Sequence, residues 1–152
     1  MQRIICALVM LAIPQFLCAD DDDTAKEFKA LQGKWKTVSM EVAGNQLPKG
    51  DLPPFTVVVG ADGKSTGKFG EEEFKFAIKI DPKKSPKTID NSHETGDQKG
   101  KKQFGIYKLE GDKWTVCITG PGSAEADRPK EFTSKGSTNV IFVFEKVKEE
   151  KK

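Results

Sequence analysis

The feature that most constrains this chain is a run in which every second residue is apolar. Phe74, Phe76, Ile78 and Ile80 alternate there with Lys75, Ala77 and Lys79. Successive side chains of a β-strand point to opposite faces, so this spacing predicts a strand with one buried face. A looser period of two continues from Lys34 almost to the C-terminus, broken by turn pairs such as Asp62-Gly63 and Gly111-Asp112. We therefore expect an all-β barrel or sandwich.

Nine segments carry the alternating pattern between turn residues and are the expected strands. They are Lys34–Val42, Phe55–Val59, Ser65–Phe69, Phe74–Ile80, Thr88–Asp90, Phe104–Leu109, Lys113–Thr119, Glu131–Ser134 and Asn139–Val147. The polar stretches Asn91–Lys102 and Gly120–Pro129 are expected to be surface loops.

One short helix is expected before the first strand. Thr24 and Glu27 have the spacing of a capping box, and the tract Asp20–Asp23 would lie at the positive end of the helix dipole. Gly33 is a helix-ending residue, so the prediction is a helix over roughly Ala25–Leu31. The acidic tract either binds a divalent cation or, as an ordinary solvated terminus, helps the helix to start.

The N-terminal segment has the pattern of a secretory signal peptide. Arg3 precedes the apolar run Ile4–Ile13, and the small residue Ala19 suggests cleavage before Asp20. We expect residues 1–19 to be removed and an exported protein, periplasmic or secreted. The run is shorter than the ~20 residues of a membrane-spanning helix, so no stable membrane insertion is expected after cleavage. Lipid attachment at Cys18 is the alternative.

The remaining residues 20–152 have the size of a single domain. Losing Arg3 leaves 24 basic and 23 acidic residues, a balance that does not favour nucleic acid as a partner. Cys117 becomes the single thiol, so the domain cannot form an intrachain disulfide and must be stabilised by apolar burial.

The tripeptide Gly33-Lys34-Trp35, placed between the helix and the first strand, resembles the lipocalin pattern. The resemblance implies an antiparallel up-and-down barrel of about eight or nine strands, with Gly33 and Trp35 closing one end. It also implies a cation from the last strand over the Trp ring, for which Lys146 is the candidate, as a cation–π pair. The alternative is that Lys146 lies in solvent and Trp35 is simply a core residue.

A closer resemblance is to a family of small exported lipocalin-like domains, abundant in planctomycete bacteria, that has no assigned function. The matching stretches are Leu31-Gln32-Gly33-Lys34-Trp35, Pro86-Lys87-Thr88-Ile89-Asp90, Gly105-Ile106-Tyr107-Lys108-Leu109-Glu110-Gly111-Asp112 and Arg128-Pro129-Lys130-Glu131-Phe132. The family resemblance covers most of the predicted domain and implies that residues 20–152 form one lipocalin-like barrel.

The inside of such a barrel is the candidate binding site. The expected inward residues are Phe74, Phe76, Phe104, Ile106, Trp114, Val116, Phe142 and Phe144, with Tyr107 or Arg128 as a polar group near the mouth. These rings either fill the barrel or line a pocket for a small apolar or amphipathic molecule. If the barrel is filled, the alternative is an interaction module that contacts a protein or a glycan through its surface loops.

Signals for catalysis are weak. His93 is the single histidine, which excludes a metal site with two His within one chain, and no Ser lies in a Gly-x-Ser-x-Gly turn. Gly63-Lys64-Ser65 and the stretch Asp90–Gly96 match phosphate-loop and calcium-loop spacing only in part. Cys117 is either a small buried residue or a reactive thiol. We therefore expect a non-enzymatic protein without catalytic residues, cofactor or metal.

Overall fold

The computed structural model describes residues 20–148 of the 152-residue chain. The predicted signal peptide, with its lipid-attachment alternative at Cys18, lies outside the described residues. Helix α1 spans Asp20–Leu31 and two single-turn 3-10 helices span Lys49–Asp51 and Glu125–Asp127. The strands are β1 Gly33–Val42, β2 Asn45–Gln46, β3 Phe55–Val59, β4 Lys64–Phe69, β5 Glu72–Asp81, β6 Lys87–His93, β7 Lys102–Glu110, β8 Lys113–Ile118 and β9 Val140–Lys146.

Eight of these strands form a closed antiparallel barrel. From β3 to β9 each strand pairs with the next, while β1 pairs with both β3 and β9 and so closes the sheet. A bulge between Thr37 and Ser39 shifts the register of β1 against β9, and β2 is a two-residue extension beside the end of β1. The prediction of an all-β up-and-down barrel preceded by one helix is confirmed.

The alternating segment that predicted a strand forms β5. Phe76, Ile78 and Ile80 are buried, while Lys75 and Lys79 are exposed. Their buried side chains belong to a core that gathers the inward residues of most barrel strands. Its other strand members are Trp35, Val57, Val59, Ile89, Tyr107, Trp114, Val116, Ile118 and Phe144.

Helix α1 covers one end of the barrel, and it is longer than predicted. It includes all of Asp20–Asp23, so the prediction of Thr24 as the N-terminal cap was wrong. The acidic tract is therefore part of the helix and does not precede it. Leu31 is fully buried and Phe28 packs against the core; the two residues are three apart and share one face of the helix.

The predicted strand Glu131–Ser134 is an irregular segment that crosses the outside of the barrel, and we call it the outer strap. It pairs with no strand because β8 and β9 already have a hydrogen-bonded neighbour on each side. It is held by side chains instead: the backbone N–H of Gly44 donates to the hydroxyl of Ser134 at 2.8 Å, and that hydroxyl donates to Glu41 Oε1 at 2.8 Å.

Candidate functional site

The barrel encloses a cavity of about 480 Å³ that opens at the end opposite helix α1. Its walls are mainly aromatic and aliphatic side chains from β3, β5, β6, β8 and β9. They are Phe55, Val57, Phe74, Phe76, Ile89, Trp114, Val116, Ile118, Phe142 and Phe144. We call this space the aromatic cavity. Its volume falls within the range of roughly 300 to 1,000 Å³ that is usual for sites of small organic ligands.

The closed end of the cavity is built on Trp35. Its side chain is 0 % exposed, and its Nε1–H donates to the carbonyl of Leu31 at 2.7 Å, which joins helix α1 to the barrel. The ring meets that of Trp114 edge-on, with 5.6 Å between centroids. Trp114 therefore lies deep in the aromatic cavity, next to the closed end.

Lys146 covers Trp35 from the outside. Its Nζ lies 5.2 Å from the centroid of the Trp35 ring and donates to the carbonyl of Ala30 at 2.9 Å. Gly33 leaves room for the lysine stem, because a Cβ atom there would lie 3.3 Å from Lys146 Cε. The three residues expected to close the barrel are thus in contact, and Lys146 is not free in solvent.

Tyr107 lies inside the barrel near the closed end and not at the mouth. Its side chain is buried and its hydroxyl donates to Glu27 Oε1 at 3.3 Å, while Lys87 Nζ donates to the same oxygen at 2.6 Å. Burial, followed by the nearby charge of Glu27, raises the pKa of Tyr107 well above its usual range. The expectation that Tyr107 is a polar group at the mouth was wrong.

Six of the predicted inward residues line the aromatic cavity: Phe74, Phe76, Trp114, Val116, Phe142 and Phe144. Ile106 does not, because it packs on the outer wall with Cys117, Ile141 and Phe132 of the outer strap. Phe104, two residues earlier on the same strand, shares that outer face. Placing Phe104 and Ile106 inside was wrong because the outer strap and the loop that precedes it bury the outer face of β7 as well, so alternation alone does not mark the inside.

Arg128 also lies on the outer wall, where it anchors the long loop before the outer strap. Its guanidinium sits 5.3 Å from the centroid of the Phe104 ring, and NH1 pairs with Asp90 Oδ1 at 2.7 Å. NH1 also donates to the carbonyl of Gly105 at 3.0 Å. Arg128 therefore stabilises the outside of the barrel, and its predicted place at the mouth was wrong.

Polar groups of the cavity come from residues that the sequence analysis assigned to a loop, as for Asn91 and His93, or to no element, as for Gln103. Strand β6 continues to His93. Because side chains alternate along a strand, Ile89, Asn91 and His93 lie on one face, and all three line the cavity. Gln103 of β7 joins them. The alternation of these three β6 residues was the available signal, and it was hidden because Asn91–Lys102 is rich in loop-forming residues.

The hydrogen bonds of Gln103 show which nitrogen of His93 faces it as a donor. Gln103 Nε2 donates to the carbonyl of Thr119 at 2.9 Å, so its Oε1 faces His93 Nε2 at 2.8 Å. An amide oxygen can only accept, so His93 Nε2 carries a hydrogen. In the neutral ring Nδ1 is then a free acceptor. Within residues 20–148, His93 Nδ1, Asn91 Oδ1 and Trp114 Nε1 are buried and have no hydrogen-bond partner.

Carboxylates surround the mouth of the aromatic cavity. Glu72 and Glu73 at the start of β5 and Asp97 in the loop after β6 are among its lining residues, and all three are exposed. Of the described residues that line the cavity, none is Lys or Arg. The residues that line the mouth therefore carry a net negative formal charge.

Comparisons with protein-family models, with curated proteins and with solved structures find no match to this chain. The resemblance to exported lipocalin-like domains therefore rests on the sequence motifs, and it remains a prediction. In the described part of the chain, no cluster of three or more His, Cys, Asp or Glu is placed to hold a metal ion. No helix between residues 20 and 148 has the length and apolar character required to span a bilayer.

Proposed function

We propose that this chain is an exported, non-enzymatic, lipocalin-like protein that binds a small, mostly apolar molecule inside its barrel. The observation that carries the proposal is the open aromatic cavity of about 480 Å³. An apolar molecule that enters it exchanges water for aromatic walls, and roughly 200 Å² of buried ligand surface would contribute about 5 kcal/mol before the entropic cost of binding.

The cavity is held open by the barrel itself. Each of its wall strands is hydrogen-bonded to a neighbour on both sides, so the walls need little reordering when a ligand enters. The aromatic rings support one another at centroid distances of 5.5 Å for Phe55 and Phe142 and 5.7 Å for Phe142 and Phe144. A preformed cavity of this kind favours binding of a guest over the alternative of a filled barrel that serves only as a scaffold for its loops.

Titration with an uncharged apolar dye tests the proposal directly. We expect saturable binding at about one dye per chain, with a change in the fluorescence of Trp114. Val116→Trp should abolish binding, because Val116 is buried and lines the cavity. Val58→Trp is the matched control, since Val58 is 46 % exposed and lies on the outside of the same barrel.

Circular dichroism should show the same strand content for both variants, and Val116→Phe is a milder substitution if the Trp variant unfolds. Absence of saturable binding across a panel of apolar, cationic and anionic amphiphiles would contradict the proposal. Equal binding by the two Trp variants would place the dye outside the barrel and would contradict it as well.

A further inference from the structure

We infer that the molecule held in the aromatic cavity is an amphipathic amine, with its cationic nitrogen at the mouth and its apolar body inside. The inference rests on the proposed function and specifies its ligand class. It follows from three properties of the site: the charge of the mouth, the kind of hydrogen-bonding atoms left without partners, and the aromatic rings beside them.

The charge of the mouth favours a cation. Glu72, Glu73 and Asp97 contribute three carboxylates, and no Lys or Arg is among the described residues that line the cavity. One lysine ammonium lies beside this lining, since Lys101 Nζ donates to Gln98 Oε1 at 2.9 Å. An anionic headgroup would meet net repulsion from the carboxylates, whereas an ammonium group would be attracted. Because these carboxylates are exposed, the attraction should weaken as the salt concentration rises.

The free polar atoms near the mouth are acceptors. Asn91 Oδ1 accepts only. With Nε2 donating to Gln103, Nδ1 is an acceptor in the uncharged form of the His93 ring. The two side chains are two residues apart on one strand face, which separates them by about 7 Å. An ammonium group offers three donors to such a site, whereas a carboxylate offers none and would leave both acceptors unsatisfied.

Aromatic rings stand next to these acceptors. The Phe74 and Phe76 rings lie 5.9 Å and 6.0 Å from the His93 ring, centroid to centroid. A cation bound near His93 is therefore within reach of aromatic faces, which attract it further. The same rings line the cavity and receive the apolar body of the ligand.

At the deep end of the cavity the polar atom without a partner is a hydrogen-bond donor, whereas those near the mouth are acceptors. Trp114 Nε1 is a buried donor without a partner among residues 20–148, and the indole is only 3 % exposed. An amine that also carries an oxygen at its far end would satisfy this donor. The lining part of β6, from Ile89 to His93, covers four residue steps or about 13 Å, which a ten-carbon chain matches in length.

A series with one tail and three headgroups tests the inference. Decylamine, decanol and decanoate are used to displace the apolar dye from the purified protein at pH 8 and low salt. We expect decylamine to bind at least tenfold more tightly than decanoate, with decanol between them, and the preference to shrink at high salt. We also expect 10-amino-1-decanol to bind more tightly than decylamine, and Trp114→Phe to remove that difference.

Two triple variants separate the mouth charges from the net charge of the protein. Neutralising the mouth with Glu72→Gln, Glu73→Gln and Asp97→Asn should reduce the preference for decylamine over decanoate several-fold. The matched control neutralises three exposed carboxylates elsewhere on the barrel, with Glu110→Gln, Asp112→Asn and Glu145→Gln, and should leave the preference unchanged.

Asn91→Leu removes one acceptor without changing charge and should also reduce the preference for the amine. If decanoate binds as tightly as decylamine, or if no member of the series displaces the dye, the inference is overturned while the proposed function stands. If neither the dye nor any of the amphiphiles binds, the proposed function fails and the inference fails with it.

Discussion

The ammonium nitrogen of Lys146 lies 5.2 Å from the centroid of the Trp35 ring, so the last strand covers the residue that closes the barrel. The register of the two strands produces this contact, because Trp35 and Lys146 are paired residues of β1 and β9. The pair therefore forms only when the first and last strands meet. It links closure of the sheet to closure of the cavity floor.

Truncation of Trp35 should remove much of the stability of the domain. Trp35→Ala is expected to lower the free energy of unfolding by about 3 to 5 kcal/mol, because it empties a fully buried site and loses the hydrogen bond to Leu31. Urea denaturation followed by circular dichroism measures the change. An unchanged unfolding midpoint would show that Trp35 does not close the barrel.

The charge of Lys146 above the Trp35 ring should contribute less to the free energy of unfolding than the Trp35 side chain itself. Lys146→Met keeps an apolar stem against Trp35 but removes the charge, and we expect a loss of about 0.5 to 2 kcal/mol. Lys148→Met is the control two residues further along the chain, since Lys148 is exposed and its ion pair is with the exposed Asp112 at 3.3 Å. Urea denaturation measures the free energy of unfolding of both variants. Equal losses of stability would argue against a specific contact between Lys146 and Trp35.

Substitution of Gly33 should be costly although it adds only a methyl group. Gly33 has φ of +112°, a conformation that L-residues adopt at a cost, and its new Cβ would press on Lys146 Cε. Gly33→Ala is expected to lower the free energy of unfolding by about 1 to 2 kcal/mol. Gly50→Ala is the matched control, because nothing lies within 4 Å of a Cβ atom there. Equal stability of both variants would contradict the prediction.

Tyr107 is the single tyrosine of the chain, so phenolate absorbance reports on it alone. Its pKa is raised above the ordinary value of 10.0, first by burial and then by Glu27. The neutral phenol therefore stabilises the fold below pH 10, and this contribution is lost as the pH rises further. We expect no phenolate signal from the folded protein at pH 11, whereas in urea at the same pH most of the tyrosine should be ionised. Ionisation of the folded protein near pH 10 would contradict this.

Cys117 should be unreactive in the folded protein. It is fully buried, its Sγ lies 3.6 Å from the carbonyl of Thr133 in the outer strap, and burial raises its pKa to about 11. In a protein with Cys6→Ser and Cys18→Ser, a thiol reagent at pH 8 is expected to label Cys117 only after urea is added.

The raised pKa also predicts a dependence of stability on pH. The neutral thiol is favoured in the folded state, so its contribution is complete below the ordinary pKa of 9.0 and declines as the pH rises towards 11. Cys117→Ala should flatten this part of the stability profile. Rapid labelling of the folded protein at pH 8 would show that the thiol is accessible and would contradict the assignment of Cys117 as a packing residue.

The strands could be predicted where one face is buried and the other is in water. Strand β5 shows this clearly, since its lysines are exposed and its phenylalanine and isoleucines are buried. The prediction failed on β7, because the outer strap places Phe132 over Ile106 and gives that strand a second buried face. It failed at Asn91 and His93 because polar residues that point into a cavity have the composition of a loop.

The sequence by itself determined the class of fold, because the alternation sets the strands. The resemblance to lipocalins pointed to Gly33, Trp35 and Lys146 as the residues that close the barrel, and the structure brings these three together. Only the tertiary structure decided that the barrel is hollow, which face of β7 is inside, and which buried polar atoms of the cavity-lining residues have no partner among residues 20–148. The physical reason is that strand formation depends on neighbours along the chain. Empty volume and unmet hydrogen bonds depend instead on side chains that come together from distant strands.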